Sequence, residues 1–479
     1  MKTQFLLTAA TLSAFFVMGC QKEQHNISNN SNDKYYAQFE NFDGETKVAL
    51  AEGNQVVWSA SDQIRIYDGS DTGIFYEVTE SSQNKTTAEF VKTQKKPATG
   101  SGVTFNGIVA TYPCEDVYII GHTGEECEIV SFMDYTQFID EFNPHMIAVC
   151  DENENELSFK NLYSLLKLSI KGNANISSIT IRGNSDENLS GWADLTVGKD
   201  GIPVMKPFEG GFNKIDLICN PTVQLDQNTA TTFHIMIPPV EFLNGFTVTI
   251  TDYDGYEFTK KTEKYNKVER SQILSMPELY IDKDSFTGDA FTPTSGQWVD
   301  LGLSVKWAGW NIGANSPEQY GDYYAWGEVE KKDSYTTSNY LFSTGTDYEY
   351  IFIGEDISGT EYDVARVKWG NEAKMPNKNE IDELISNCTF KTGIYKGVMG
   401  CCVTGPNGNS IFLPFAGVIN DDDHSGRGGL CAIWSSTWTD TPYLGLYDVY
   451  LFNYELGLPQ GMFGSVRWGG MPVRAVSDK

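Results

Sequence analysis

Residues Asn420 to Gly429 read NDDDHSGRGG, which puts Asp421, Asp422 and Asp423 beside glycines in a turn. Clustered carboxylate oxygens are the ligand type a hard cation such as calcium takes. The run lacks the alternate spacing of an EF-hand loop, so it also reads as a solvated acidic turn. A little further on, WSSTWTD supplies Trp434, Trp438 and Asp440. On a strand, Trp434, Ser436 and Trp438 share one face, which is either core or an exposed platform for a sugar ring with Asp440 beside it. Adjacent Cys401 and Cys402 raise thiol chemistry, which needs a lowered thiol pKa or a metal. Strand neighbours point to opposite faces and cannot jointly grip one substrate, so one buried and one partly exposed cysteine is expected. No GxSxG or HExxH segment occurs, and five histidines leave little acid–base machinery. No CxxC pair occurs, so zinc is not expected and no cofactor is called for. Arg467 and Arg474 fall in what reads as the closing strands, where they are expected to pair with acids such as Glu380 or Asp363.

The elements that must carry these residues are mostly strands. Short β-rich runs such as YYAQFE, QIRIYDG and IFYEVTE fill residues 35–150, with turn clusters between them at the spacing of a β-sandwich. Residues 151–282 repeat the theme, and Phe246, Val248 and Ile250 alternate with Thr247, Thr249 and Thr251. Asp254 and Gly255 then read as a hairpin turn. Trp58, Trp192 and His234 lie inside these strands and are expected in the core. Residues 283–295 are polar, contain Gly and Pro, and read as a linker. Eight of the ten tryptophans lie in the 182 residues from Trp298 onward, so a different domain is expected over 296–479. Its clearest helix is NKNEIDELISNC, with Asn377 or Asn379 as N-cap and Ile381, Leu384 and Ile385 on one face. Ile411 to Leu413 read as a buried central strand.

At the other end, an apolar run from Phe5 to Gly19 follows Lys2 and is too short to span a membrane, so residues 1–19 read as a signal peptide. Val17 to Cys20 resemble the bacterial lipobox, which implies lipidation of Cys20. Gln21, Lys22 and Glu23 are similar to the export signal of surface lipoproteins in Bacteroidota, which implies the outer face of the outer membrane. Residues 20–34 read as the lipidated cysteine and a polar tether. A formal charge of -29 makes nucleic acid a poor partner.

Residues 36–282, through VVWSASDQIRIY, GIVATYP, LSFKNLYSLLKLSI, HIMIPPVEFLNGFTVTITDYDG and ILSMPEL, resemble the fimbrillin-like family. Residues 296–476, through WVDLGLSVKWAGWNIGANSPEQYGDYYAWGE, AKMPNKNEIDELISNC, GVMGCCVTGPNGNSIFLPFAGV, IWSSTW and SVRWGGMPVRAV, resemble the Fibrobacter succinogenes major paralogous domain. Together these imply a mainly β chain. Two tandem transthyretin-like β-sandwiches, 35–150 and 151–282, precede a mixed α/β module distantly similar to the formylglycine-generating enzyme and C-type lectin folds. The function implied is that of a non-enzymatic surface lipoprotein whose terminal module binds a glycan or protein ligand. A fimbrial tip or accessory subunit assembling with other subunits by strand addition, and a thiol-dependent enzyme, are the alternatives.

Overall fold

The computed structural model describes residues 34–479 except 41, 43–57, 60–61, 68–72, 84, 94–106, 115–116, 124–125, 140–143, 152, 207–210, 346–349, 422, 444–446 and 456–460. The expected signal peptide 1–19, Cys20 and the tether up to residue 33 lie outside the described residues. The chain is mainly β.

Alternation builds the first unit. In Lys34–Phe39, period two sends Tyr35 and Ala37 inward and leaves Lys34 and Tyr36 in water. That strand runs parallel to Glu156–Asn161 and antiparallel to Thr87–Lys92. With Met146–Cys150, Ile108–Tyr112, Gln63–Tyr67 and Ile74–Val78 the pairing closes on itself, so the first unit is a seven-stranded barrel instead of the expected sandwich. Closure removes free sheet edges. Trp58 fills the interior, stacked on Phe39 at 4.0 Å and edge-on to Phe90, Tyr112 and Phe159.

Strand pairing does not respect the expected division between residues 150 and 151. Glu126–Met133 pairs with Gly191–Val197, and Thr136–Phe138 with Lys214–Gln224, so these early strands belong to the second unit. Glu156–Asn161 belongs to the barrel. The chain therefore passes between the two units three times. Around one core with Leu168, Ile179, Leu195 and Val248, and besides the two-stranded pair Val240–Phe242 with Asn266–Val268, the second unit packs three larger sheets. Their middle strands are Ser164–Gly172, Asn175–Gly183 and the pair Glu126–Met133 with Gly191–Val197. The hairpin at Asp254 and Gly255 joins Phe246–Asp252 to Glu257–Lys261, and Gly255 takes the φ of +93° that an L side chain resists. Trp58 is in the core as expected, but Trp192 is 46% exposed beside Phe132 and His234 is half-buried.

His145 sits at the second crossing. Its Nδ1 lies 2.9 Å from Ser131 Oγ, and Tyr163, at the third crossing, donates its hydroxyl to the same oxygen at 2.9 Å. Glu40 and Arg270 add an ion pair at the seam, with Arg270 also donating to the Asn161 carbonyl at 2.8 Å.

The expected linker is packed structure. Thr287 bridges Glu257 of the second unit, Thr294 N donates to Ser410 O at 2.9 Å, and Phe291 meets Phe412. Tyr135 of the second unit joins the core formed by Val299, Leu301, Ile411 and Leu413.

Among the described residues, two α-helices punctuate the C-terminal module. Lys378–Asn387 is capped by Asn377 in a capping box with Glu380, and buries Ile381 and Leu384. Val364–Trp369 is a second helix that sequence patterning missed; Asp363 caps it and Gly370 ends it. Asp363 is fully buried and accepts from Gly359, Ala365, Arg366 and Met375, so one carboxylate fastens the loop, the helix and the segment after it. Three-stranded sheets and the two-stranded pair Val418–Asn420 with Asp423–Ser425 supply the remaining layers. Ser410–Pro414 is wholly buried yet lies at a sheet edge, next to Val398–Thr404 in the middle, instead of being central.

Two outcomes follow. Asp363→Ala removes the acceptor of four N–H donors, those of Ala365 and Met375 buried, and lowers unfolding free energy by about 3 kcal/mol in urea titration; a loss under about 1 kcal/mol would refute that role. Burial pushes His145 from 6.5 down to about 3. Below 6.5 the unfolded chain binds a proton that the folded chain rejects, so stability is full above pH 6.5 and is lost as pH falls toward 3. Melting curves of His145→Gln should therefore depend less on pH between about 6.5 and 4.5 than those of the parent, and equal slopes would exclude the effect.

Candidate functional site

The residues nominated from sequence do not converge. Asp421 is exposed at φ +54°, its backbone bridged to Tyr335. Asp422 lies outside the described residues, as does the side chain of Asp423. Among the described residues no group of three His, Cys, Asp or Glu side chains is placed to hold a metal. Trp434 is core, not platform: it is fully buried and its indole N–H donates to Tyr324 O at 2.7 Å. The expected alternation is interrupted, since Ser435 and Ser436 are both buried and the ladder shifts register between Trp434 and Trp438. Trp438 is half-buried and meets the exposed Phe352 edge-on at 5.8 Å. Asp440 lies on the same strand, with its side chain outside the described set.

Cys401 and Cys402 are both buried, which corrects the expectation that one is partly exposed. Their strand is paired on both edges, and its residues Gly400 to Val403 are buried in succession, so both of its faces are covered there. Burial pushes Cys401 well up and Cys402 up to about 12, the reverse of what a reactive thiolate needs.

The two arginines also find other partners. Arg474 is fully buried and donates to Asn311 Oδ1 at 2.8 Å, Ala308 O at 3.1 Å and Phe412 O at 2.9 Å. It thereby satisfies a carbonyl on the edge strand Ser410–Pro414. Arg467 lies over the rings of Trp326 and Tyr350 and donates to Ile351 O at 3.3 Å. Glu380 is taken by Lys374 and by its own capping box, and Asp363 by backbone N–H groups, so neither carboxylate is left for an arginine.

What the fold does bring together is an open cleft of about 240 Å³. Ile312, Tyr324 and Trp369 line it with apolar surface; Asp322, Glu330, Lys331 and Lys368 supply charge. Two Lys–carboxylate pairs result: Lys331 Nζ to Asp322 Oδ1 at 2.9 Å and Lys368 Nζ to Glu330 Oε1 at 2.8 Å. The hydrogen bond from Lys331 to Asp322 raises the lysine pKa. Tyr324 leans its hydroxyl toward Asp322 Oδ2 at 3.4 Å, and burial pushes that phenol up.

Each wall has a local cause. Ile312 N bonds Val473 O and Asp322 N bonds Ile312 O, both at 2.9 Å, which brings the two segments side by side. Gly313 has φ +85°, and a Cβ there would stand 2.5 Å from Asp322 Cγ, so glycine makes room for the carboxylate. Lys368 and Trp369 end the short helix that Asp363 caps, and Trp369 rests edge-on against Trp298 at 5.9 Å. Sequence reasoning missed this cleft because its residues come from separate segments with no shared spacing. The available signal was DVARVKWG, an Asp N-cap and a Gly stop around a helix ending in Lys368 and Trp369.

No protein-family model matches the chain, and no curated protein does. Among solved structures it is similar to a "putative cell adhesion protein" of Bacteroides ovatus, at 12% identity and a TM-score of 0.33, over 54% of this chain and 95% of that one. A "putative cell adhesion protein" of Bacteroides uniformis matches at 14% identity and a TM-score of 0.31, over 53% and 94%. A fimbrial protein of Bacteroides ovatus matches at 8% identity and a TM-score of 0.25, over 94% of this chain and 100% of that chain. All three are distant likenesses, and at such TM-scores they establish no shared fold.

Proposed function

We propose that the chain is a non-enzymatic, fimbrial-type surface lipoprotein of the outer membrane. Lipid on Cys20 anchors it, the barrel and the three-sheet unit form a stalk, and the C-terminal module binds a ligand at its cleft. The observation that carries this reading is the cleft itself, where an apolar floor and two ion pairs are held by a loop whose backbone is pinned from beneath. Few convergent polar groups over an apolar floor are the general form of a small-ligand site. The lipobox resemblance at Val17 to Cys20 and the two family resemblances support the anchor and the stalk.

A second reading, an accessory subunit that assembles with other fimbrial subunits, is favoured by the outer face of the second unit. There Trp192 is 46% exposed, Ile120 51% and Val204 63%. Strands carrying large exposed apolar side chains suit contact with another β subunit. The thiol-enzyme reading loses its motive with the burial of Cys401 and Cys402.

Cell fractionation tests the anchor: Cys20→Ala should move the protein from the outer-membrane fraction to the soluble one, and full retention would refute lipid anchoring. Probing the full chain against a glycan array and an immobilised protein panel tests the head. Capture of a glycan or protein ligand supports it. Exclusive co-purification with polymeric fimbriae, without any ligand capture, would favour the subunit reading.

A further inference from the structure

We propose that the cleft beside Trp369 is a subsite for one neutral pyranose ring, an assignment that rests on the ligand-binding reading of the C-terminal module. The charges lining it cancel: Asp322 and Glu330 stand against Lys331 and Lys368, each acid paired with one lysine. An anionic ligand would enter against the field of a chain with formal charge -29. A cationic ligand would meet carboxylates whose charge is already matched by a lysine each. A neutral ligand meets neither obstacle.

The polar groups also specify which neutral ligand. Each Lys–carboxylate pair presents N–H donors and an oxygen acceptor side by side, and a hydroxyl group donates and accepts at once. A hydroxyl can therefore join either pair without breaking it, as an amide also can, whereas an ether only accepts from the lysine. Two such pairs lie around the partly exposed ring of Trp369, behind which Ile312 and Tyr324 are nearly fully buried, so the matching molecule carries hydroxyls on its rim and C–H groups on its face. A sugar ring has that form. The volume, about 240 Å³, lies below the roughly 300 Å³ at which sites for drug-sized molecules begin, which suits one ring and not a long chain. Glu330 is 78% exposed at the side chain and Lys331 67%, so the rim is open and the remaining residues of a longer glycan can extend into water.

The test uses the full chain and isothermal titration with the methyl glycosides of glucose, galactose, mannose and N-acetylglucosamine, with glucuronate and glucosamine as charged comparators. At least one neutral glycoside should bind more tightly than both comparators. Trp369→Ala and Glu330→Gln should each weaken that binding about tenfold or more. Glu330→Gln, at an exposed position, decides the matter should Trp369→Ala fail to fold. Undiminished binding in Glu330→Gln and in any folded Trp369→Ala would overturn the cleft assignment and leave a ligand-binding head standing. Preference for glucuronate or glucosamine, or binding of none of the neutral glycosides, would overturn the ligand class. Only a failure to capture any glycan or protein at all would remove the broader reading as well.

Discussion

A buried aromatic side chain that ends in an N–H or O–H fills space and donates a hydrogen bond at once, and the C-terminal module depends on this combination. Trp326 donates to Ser435 O at 2.9 Å, Trp434 to Tyr324 O at 2.7 Å, Tyr323 to Ala416 O at 2.5 Å, Tyr340 to Trp326 O at 2.8 Å, and Tyr335 to Tyr323 O. All these acceptors are backbone carbonyls, three of them in the irregular stretch from Tyr323 to Trp326. A loop without strand partners has main-chain groups that cost free energy when buried dry. Here Met471 pairs the backbone of Tyr324 on both sides, and phenols from around the loop supply donors to the carbonyls of Tyr323 and Trp326. Asp363 performs the complementary task for N–H groups, and Arg474 does so for the carbonyl of an edge strand. The cleft inherits its shape from these attachments, because Asp322 and Tyr324 ride on the same pinned loop.

Concentration of tryptophan after residue 297 thus has a physical account that differs from the one its sequence invites. Trp434 sits with the correct periodicity for a binding face, but its indole is used internally. A strand pattern tells which side chains share a face; it does not tell which face is wet when both neighbours are unknown. Trp192 shows the converse. It lies within a strand of alternating apolar residues, yet its own position in that alternation turns it outward, where Phe132 opposite it is its partner.

Local features were legible and long-range pairing was not. Asn377, Glu380 and the apolar positions Ile381 and Leu384 declare their helix because every signal falls within a few residues. The short helix after Asp363 was missed since six residues span too few turns for an apolar period to register. In the N-terminal half, individual strands could be read, but the parallel pairing of Lys34–Phe39 with Glu156–Asn161 has no local signature. A division drawn between residues 150 and 151 assumed that neighbours in sequence pair with each other. The cleft was hidden for the same reason, because Asp322, Glu330 and Trp369 meet only after the module has folded.

The parallel placement of Lys34–Phe39 also bears on how the molecule carries force. This strand is the first described element after the segment that holds Cys20, and it is flanked by Glu156–Asn161 on one side and Thr87–Lys92 on the other. A pull along the strand loads the hydrogen bonds of both ladders together, in shear, instead of opening them one after another like a zipper. Because the chain crosses to the second unit three times, that load passes onward through several backbone segments in parallel.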